Sequence, residues 1–369
     1  MRIAVLLEHG TDEKRVAGTP ESVIDLASDG HEVYLEAGAG IAAGMPDDLY
    51  ISAGASLVPD RSSALTSGRL ILGINNPFDL KDIERINSEH LLVGLFDPVW
   101  KPRSIVELAK TGATIFSLDL VPRSTRAQAM DVLSSQATVV GYQAILMAAQ
   151  RLPKLMPMMM TAAGTVPATR VVVLGAGVAG LQSIAMARRL GAVVEGFDIR
   201  PEALEEIRSL GARSIAVPEG LDPTDPDVQE TALVPHLAEA DLVVTAAQIP
   251  GKASPILVTE TMVEAMRPGS LILDLSTQRG RNCSLTESGK EVEHCGITIL
   301  GPTNLASGSP TTASRMFARN MVNFIRHLCV DGEIAIDPDD EITASMLVAS
   351  GGEVVHPKVL GALEESQGE

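Results

Sequence analysis

The chain is poor in cysteine and in aromatic residues. Its 369 residues include three cysteines, and none of them forms a CxxC pair. The sequence therefore indicates neither a disulfide framework nor a zinc site, and we expect no metal ion. Isolated thiols fit a reducing compartment, so we expect a cytoplasmic protein.

Basic side chains are also scarce. The 29 lysine and arginine residues stand against 47 aspartate and glutamate residues, which gives a formal net charge of −18. Such a surface argues against nucleic acid or an anionic membrane surface as a partner. The apolar opening MRIAVLL turns polar at once, and no stretch of the sequence approaches bilayer-spanning length, so we expect neither a signal peptide nor membrane insertion.

The apolar content comes instead from alanine, valine, leucine and glycine. This composition is typical of α/β enzymes with parallel strands, and the length is sufficient for two domains.

A glycine-rich turn follows an apolar run at 171–174 and precedes a helical pattern at 181–190. Gly175, Gly177 and Gly180 have GxGxxG spacing. In a dinucleotide site these glycines allow, in order, a tight turn, close approach of the backbone to a pyrophosphate, and close packing of helix on sheet. The N-terminus of the helix then offers free N–H groups to the phosphates.

A second apolar run at 193–197 ends at Asp198. An acid at this place accepts hydrogen bonds from the adenosine ribose hydroxyls and repels a 2′-phosphate. Strand, helix, strand and acid occur here in order, which favours an NAD(H) site over an ordinary glycine-rich turn. We expect further contacts from Val178, Ala179, Ile199 and Arg200, which flank these positions.

Residues 1–120 alternate between apolar strands and helices and predict a first α/β domain. Thr19 and Pro20 have the chemistry of an N-cap and first position of a helix. Arg15 stands just before this helix. It can bind a substrate carboxylate or pair with an acidic neighbour, and the sequence alone favours neither.

Polar residues crowd the start of a long helical pattern after residue 120. Gln128, Asp131 and Ser135 fall at i, i+3 and i+7, on one helical face, with Ser134 beside them and Arg123 before them. This patch is either helix capping or part of a substrate site at a domain junction, and the spacing does not decide between them.

Three further apolar strands follow at 242–246, 271–275 and 297–300. The segment TAAQIPGK follows the first strand, at the end where such sheets line the nicotinamide side of the cofactor. STQRGRN and GPTNLASG occupy equivalent places. The residues expected to contact the cofactor here are Ala246, Ala247, Gln248, Pro250, Gln278 and Asn304.

Over nearly its whole length the chain resembles the alanine dehydrogenase and nicotinamide nucleotide transhydrogenase family. The resemblance rests on EKRVAGTPE, VPRSTRAQAMDVLSSQATVVGY, the glycine turn with its flanks, TAAQIPGKASPILVTETMVEAMRPGSLILDL and GEVVHP. It implies two Rossmann-like α/β domains with a cleft between them, the first (1–130 and 306–369) completed by the C-terminal segment and the second (131–305) binding NAD(H).

The resemblance also implies a homodimer and, on the transhydrogenase side, a membrane-anchored partner subunit that holds NADP(H). The protein would then lie at the inner membrane through this partner. Matching residues in transhydrogenases contact the nicotinamide end of the cofactor, which implies that role for Arg123, Gln128, Asp131 and Ser134 and makes the polar patch functional.

Departures from the family pattern separate its activities. Alanine dehydrogenases use a lysine and a histidine that are missing here: the lysine position falls near Gly73 and Ile74, and LFDPVWKP has no histidine. Without an acid–base group, interconversion of an imine and an amine is hard to support. A transhydrogenase needs no such group, but here its long mobile loop is short, at 214–240, and lacks tyrosine.

We therefore expect an oxidoreductase that passes hydride between NAD(H) and NADP(H) on a partner subunit. The alternatives are a stand-alone dehydrogenase acting on a small amino or 2-oxo acid, with Arg15 holding the carboxylate, and a non-catalytic NAD-binding protein.

Overall fold

The computed structural model describes residues 1–10, 12–76, 78–249, 251–330 and 333–366. The chain divides into two compact units. Unit 1 comprises Met1–Gln136 and Ala306–Glu369, and unit 2 comprises Ala137–Leu305.

Unit 1 contains an eight-stranded sheet. In chain order its strands are β1 (Arg2–Val5), β2 (Glu32–Glu36), β3 (Ser56–Val58), β4 (Leu70–Leu72), β5 (Leu91–Gly94), β6 (Thr114–Ser117), β18 (Leu347–Ser350) and β19 (Glu353–Val354). The spatial order is β19-β18-β6-β5-β4-β1-β2-β3. The first six strands are parallel, and the C-terminal hairpin β18–β19 adds to β6 in the antiparallel sense, so the predicted terminal hairpin is confirmed.

Helices cover the sheet of unit 1 because its parallel strands are apolar on both faces. They are α1 (Pro20–Ser28), α2 (Asp47–Ser52), α3 (Arg61–Ser67), α4 (Leu80–Ile83), α5 (Pro102–Ala109), α11 (Pro310–Leu328), α12 (Glu341–Met346) and α13 (Pro357–Glu365). The predicted start of α1 is confirmed, since the Thr19 side chain accepts from the Ser22 amide and Pro20 is the first helical residue. A small hairpin, β16 (Cys329–Val330) with β17 (Glu333–Ile334), follows α11.

Unit 2 contains a seven-stranded sheet. Its strands are β9 (Arg170–Leu174), β10 (Val193–Phe197), β11 (Arg213–Ser214), β12 (Leu242–Thr245), β13 (Leu271–Asp274), β14 (Glu291–His294) and β15 (Ile297–Leu300). The spatial order is β11-β10-β9-β12-β13-β15-β14. All are parallel except β14, which runs antiparallel to β15 at the edge. The predicted α/β fold with parallel sheets is confirmed.

The helices that follow these strands are α7 (Val178–Arg189), α8 (Pro201–Ser209), α9 (Pro226–Leu237) and α10 (Glu260–Glu264). A two-stranded hairpin, β7 (Met159–Thr161) with β8 (Gly164–Val166), precedes the sheet. The methionine-rich segment around it suggests a plain loop with core-filling side chains. Met156 is indeed buried, but Met158 and Met160 are 61% and 79% exposed, so that interpretation is wrong for the hairpin.

The long helix α6 (Val132–Arg151) begins later than its periodicity suggests. Residues Thr125–Met130 form a separate 3-10 helix, and Asp131 ends it with ψ 86°. Since α6 begins only after Asp131, Gln128 does not share a helical face with Ser135, and that step of the sequence argument is wrong.

α6 is also long and apolar enough, by length and composition, to cross a bilayer, contrary to the expectation that no stretch approaches this. Core helices meet the same criterion, and Ala144, Ile145 and Ala148 of α6 are fully buried in the core of unit 2.

Candidate functional site

The glycine turn between β9 and α7 has the geometry that a bound pyrophosphate requires. Gly175 has a φ of +96°, and a Cβ placed there would lie 2.8 Å from the backbone nitrogen of Ala247. A Cβ at Gly180 would overlap the carbonyl oxygen of Gly175. At Gly177, by contrast, a Cβ would meet nothing within 4 Å. Two glycines thus permit close packing within the fold, and the third faces open space.

Gly177 is also the N-cap of α7 and carries no capping side chain. The first N–H groups of a helix have no partner within it, and here they belong to Val178, Ala179 and Gly180. Val178 is 41% exposed and Gly180 is buried. An anion in the open space beside Gly177 would therefore meet amide donors and the positive end of the helix dipole.

Asp198 follows β10 and lies against the same turn. Its carboxylate accepts from the Ala176 amide at 2.8 Å and from the Arg200 amide at 3.0 Å. The Arg200 guanidinium donates to both carboxylate oxygens, at 2.9 and 3.0 Å. Burial raises the pKa of Asp198, but the hydrogen bonds and charge of Arg200 outweigh it, and the net pKa is lowered. Asp198 is therefore an ionised acceptor beside the glycine turn, flanked by the exposed Ile199.

The chain after β12 is tied to both neighbouring strands. The Ala246 amide donates to the Leu174 carbonyl at 2.7 Å, and the Ala247 amide donates to Asn282 Oδ1 at 3.0 Å. Gln248 is exposed and donates to the Leu275 carbonyl at 3.4 Å. Pro250 lies outside the described residues.

A buried network built on Asp274 and Asn282 supports this edge of the sheet. Asp274 is fully buried at the end of β13 and accepts from the amides of Ser276, Asn282 and Cys283 at 2.8–3.1 Å. Asn282 in turn donates to the carbonyls of Ala247 and Pro255 at 2.9 and 2.7 Å. Neither Asp274 nor Asn282 is among the residues that the sequence predicts at the site. An acid that ends an apolar strand, followed by an asparagine, is the signal that could have indicated them.

Gln278 and Asn304 occupy the loops after β13 and β15. Gln278 belongs to the 3-10 helix Thr277–Arg279 and donates to the Thr303 carbonyl at 2.6 Å. Asn304 is half-buried in the loop that Thr303 begins. The parallel strands β9, β12, β13 and β15 end at one edge of the sheet, so unit 2 brings the glycine turn, residues 246–248, Gln278 and Asn304 to that edge.

The polar patch of unit 1 is divided between two roles. Asp131 caps α6: its carboxylate accepts from the Ser134 amide at 2.9 Å and from the Ser134 hydroxyl at 2.5 Å. Arg123 and Gln128 are exposed on the segment before it. The capping alternative is therefore correct for Asp131 and Ser134, while Arg123 and Gln128 are accessible to a ligand.

Arg15 has the acidic neighbour that the sequence left open. Its guanidinium donates to both carboxylate oxygens of Glu13, at 2.8 and 2.7 Å, and to Gln136 Oε1 at 2.9 Å. Glu13 also accepts from the Ser307 hydroxyl at 2.7 Å. Burial raises the pKa of Glu13, but Arg15 outweighs it and holds that pKa at about 2. Arg15 is 7% exposed and already neutralised, which leaves a substrate carboxylate little to bind.

A second buried acid, Glu8, lies close to this pair. It accepts from the Ile74 amide at 2.5 Å and from the Asn75 amide at 3.4 Å. Burial raises its pKa to about 7, against the effect of these amides. The strand end at Gly73 and Ile74 therefore supplies backbone donors to an acid and no side-chain acid–base group.

Comparison with known proteins agrees with this geometry. The family description "Alanine dehydrogenase/PNT, N-terminal domain" matches residues 4–140, and "Alanine dehydrogenase/PNT, C-terminal domain" matches residues 144–357. The first segment of the NAD(P) transhydrogenase alpha subunit of Rhodospirillum rubrum, a separate chain in that organism's set of subunits, is 37% identical over 98% of this chain and 99% of its own length.

Solved structures give the same result. The crystal structure of transhydrogenase from Sinorhizobium meliloti matches with a TM-score of 0.87 and 41% identity over 97% of this chain and 99% of that one. An L-alanine dehydrogenase structure matches with a TM-score of 0.85 and 27% identity over 99% of both chains. The resemblance seen in the sequence is confirmed, and the chain belongs to the alanine dehydrogenase/PNT family.

Proposed function

We propose that this chain is an NAD(H)-binding oxidoreductase of transhydrogenase type, which passes hydride between NAD(H) and NADP(H) on a partner subunit. The observation that carries the proposal is the pairing of Asp198 with the open space at Gly177. The first is an ionised acceptor suited to ribose hydroxyls, and the second is a gap beside free helix amides suited to a pyrophosphate. Their combination favours NAD(H) over NADP(H).

The two units have separate tasks in this proposal, with domains at 1–130 with 306–369 and at 131–305. Adenosine and pyrophosphate bind at Gly175, Gly177, Val178, Ala179, Gly180, Asp198, Ile199 and Arg200. The nicotinamide end meets Ala246, Ala247, Gln248, Pro250, Gln278 and Asn304, together with Arg123, Gln128, Asp131 and Ser134. Asp131 and Ser134 combine this role with capping of α6, so their contribution is to fix the start of that helix as well as to meet the ligand.

Hydride transfer between two nicotinamides suits the side chains of unit 1. The transfer is direct and needs no protein acid or base, because the cofactors carry the chemistry. The protein contributes binding and orientation. The backbone donors at Ile74 and the neutralised Arg15 are compatible with this reaction, whereas a 2-oxo acid would need a free cation and a proton donor.

The proposal extends to assembly. The name of the Rhodospirillum rubrum relative describes a segment of a subunit alpha, which supports a multi-subunit enzyme. We expect a homodimer that associates with a membrane-anchored, NADP(H)-binding subunit. The protein would then be cytoplasmic and peripheral to the inner membrane.

The test is reconstitution. The purified chain is mixed with membranes that contain the partner subunit but lack this one, and reduction of an NADP analogue by NADH is followed by absorbance. We expect activity that requires both components and saturates with NADH. A matched control is Gly177→Val, which should remove activity while the variant remains folded.

Failure has distinguishable forms. NADH binding without transfer, with a fully active partner, would favour a non-catalytic NAD-binding protein and would point to the short 214–240 segment as the missing element. NADH turnover with 2-oxo acids and ammonia, without the partner, would favour a stand-alone dehydrogenase.

A further inference from the structure

Four side chains with metal-binding atoms converge at the opposite end of the sheet of unit 2. His294 ends β14 and Cys295 begins the turn into β15. Glu260 and Glu264 are the first and last residues of α10. The ligand atoms of Glu264, His294 and Cys295 all lie within 4.8 Å of one another. Two separate elements thus bring a thiol, an imidazole and carboxylates together.

The distances at His294 match the spacing of ligands around one small ion. Its Nε2 lies 3.4 Å from Glu264 Oε1 and 3.7 Å from Glu260 Oε1. Zinc bonds to nitrogen and oxygen are about 2.0–2.2 Å long, so two such ligands at a tetrahedral angle lie roughly 3.3 Å apart. The same imidazole nitrogen faces both carboxylates, as it would if all three bound one ion.

The charge of the cluster has no other evident compensation. Glu260 and Glu264 are one helical turn apart and repel each other. In the stretches of chain that the structure describes, no lysine or arginine forms an ion pair with either of them, and His294 is the only ion-pair partner of both. The nearby Arg267 pairs with Glu239 instead. A divalent cation would neutralise this cluster.

We propose that Glu260, Glu264, His294 and Cys295 form a zinc site. A thiolate with an imidazole selects zinc over magnesium or calcium, which prefer all-oxygen sites. Binding replaces the thiol proton of Cys295 with a zinc–sulfur bond and releases that proton. The bound ion ties α10 to the β14–β15 turn and stabilises the edge of the sheet.

The site is separate from the proposed cofactor site. Cys295 precedes β15, so it lies at the amino ends of the parallel strands β13 and β15, whereas the glycine turn and residues 246–248 follow the carboxyl ends of their strands. Zinc should therefore raise thermal stability and leave NADH affinity unchanged, and the two proposals can fail independently.

The experiment uses the untagged full chain, freed of metal with EDTA and kept reduced with a non-chelating reductant. Zinc is titrated against a chromophoric chelator, and cobalt(II) is used as a spectroscopic substitute. We expect one equivalent of zinc, a cobalt spectrum with a thiolate-to-metal charge-transfer band, and a higher melting temperature with zinc but not with magnesium.

The variants His294→Gln and Cys295→Ser should each weaken zinc binding at least about tenfold, because each removes a ligand. Cys329→Ser is the matched control: the Cys329 thiol lies 3.9 Å from His31 Nε2, so it removes a cysteine from another cysteine–histidine pair, and binding should not change. Melting curves in EDTA verify that all variants fold. Absence of binding in the wild type, or equal binding by wild type, His294→Gln and Cys295→Ser, would overturn the proposal.

Discussion

Substitution at two glycines of one turn should separate cofactor binding from folding. At Gly177, with a φ of −73° and no atom within 4 Å of an added Cβ, valine fits the empty protein. At Gly180, alanine would overlap the Gly175 carbonyl oxygen and approach its carbon at 2.9 Å. We therefore expect Gly177→Val to fold without binding NADH, and Gly180→Ala to lose stability first.

The magnitudes follow from these contacts. The valine side chain would occupy pyrophosphate space and remove one or two hydrogen bonds to a charged group, each worth about 1.5–3 kcal/mol. NADH affinity should fall at least about tenfold. Overpacking against backbone costs about 3 kcal/mol, the upper end of the usual range, because a carbonyl cannot rotate away as a side chain can. For unit-sized domains this lowers the melting temperature by roughly 6–12 °C.

The assay combines thermal unfolding with NADH titration by fluorescence on the same preparations. Gly177→Val should unfold within about 3 °C of the wild type, since valine is only a somewhat poorer N-cap than glycine. If Gly177→Val binds NADH with wild-type affinity, the turn is not the phosphate site. If Gly180→Ala is as stable as the wild type, the packing argument fails.

Three further predictions rest on single side chains. Asp198→Asn should narrow the preference for NADH over NADPH, measured by parallel titrations, because it removes the charge that repels a 2′-phosphate; an unchanged ratio would contradict this. Gln128→Ala should slow hydride transfer by roughly tenfold to a few hundredfold without changing the melting temperature, whereas Asp131→Ala should also lose about 0.5–2 kcal/mol of stability as a lost helix cap; an unchanged rate for Gln128→Ala would remove it from the site. Glu8 has a pKa of about 7 in the folded chain and an ordinary value near 4.5 when unfolded. The folded state therefore holds more protons in this window, and the stability of wild type relative to Glu8→Gln should fall as pH rises from about 4.5 to 7, by on the order of 3 kcal/mol. Denaturant unfolding across that range is the check, and a flat difference would refute it.

The sequence predicts the β9–α7–β10 unit well because its determinants are local. Apolar runs set the strands, and glycine spacing sets the turn between them. Asp198 is in place for the same reason, since it ends a strand next to that turn in the sheet. What the sequence could not indicate is that Arg200 already holds its carboxylate.

The errors arise where short-range hydrogen bonds override periodicity. The helical pattern runs through Asp131, but its side chain caps Ser134 and forces a new helix to begin. Gly164, with a φ of +124°, turns the methionine segment into a hairpin where no alternation suggests strands. The zinc ligands and the Asn282 network depend on residues distant in the chain, and such convergence is visible only in three dimensions.

The ion pair of Arg200 with Asp198 makes cofactor entry an exchange rather than a simple addition. The carboxylate accepts four hydrogen bonds, three of them from Arg200, which is about all that two oxygens can accept. A ribose hydroxyl must therefore displace the guanidinium, which is about half exposed and free to turn outward. Such an exposed pair is worth about 0–1 kcal/mol, so the exchange costs little. It also means that the empty site guards its own acid, because the arginine keeps water and stray cations from Asp198 until a sugar with two adjacent hydroxyls takes its place.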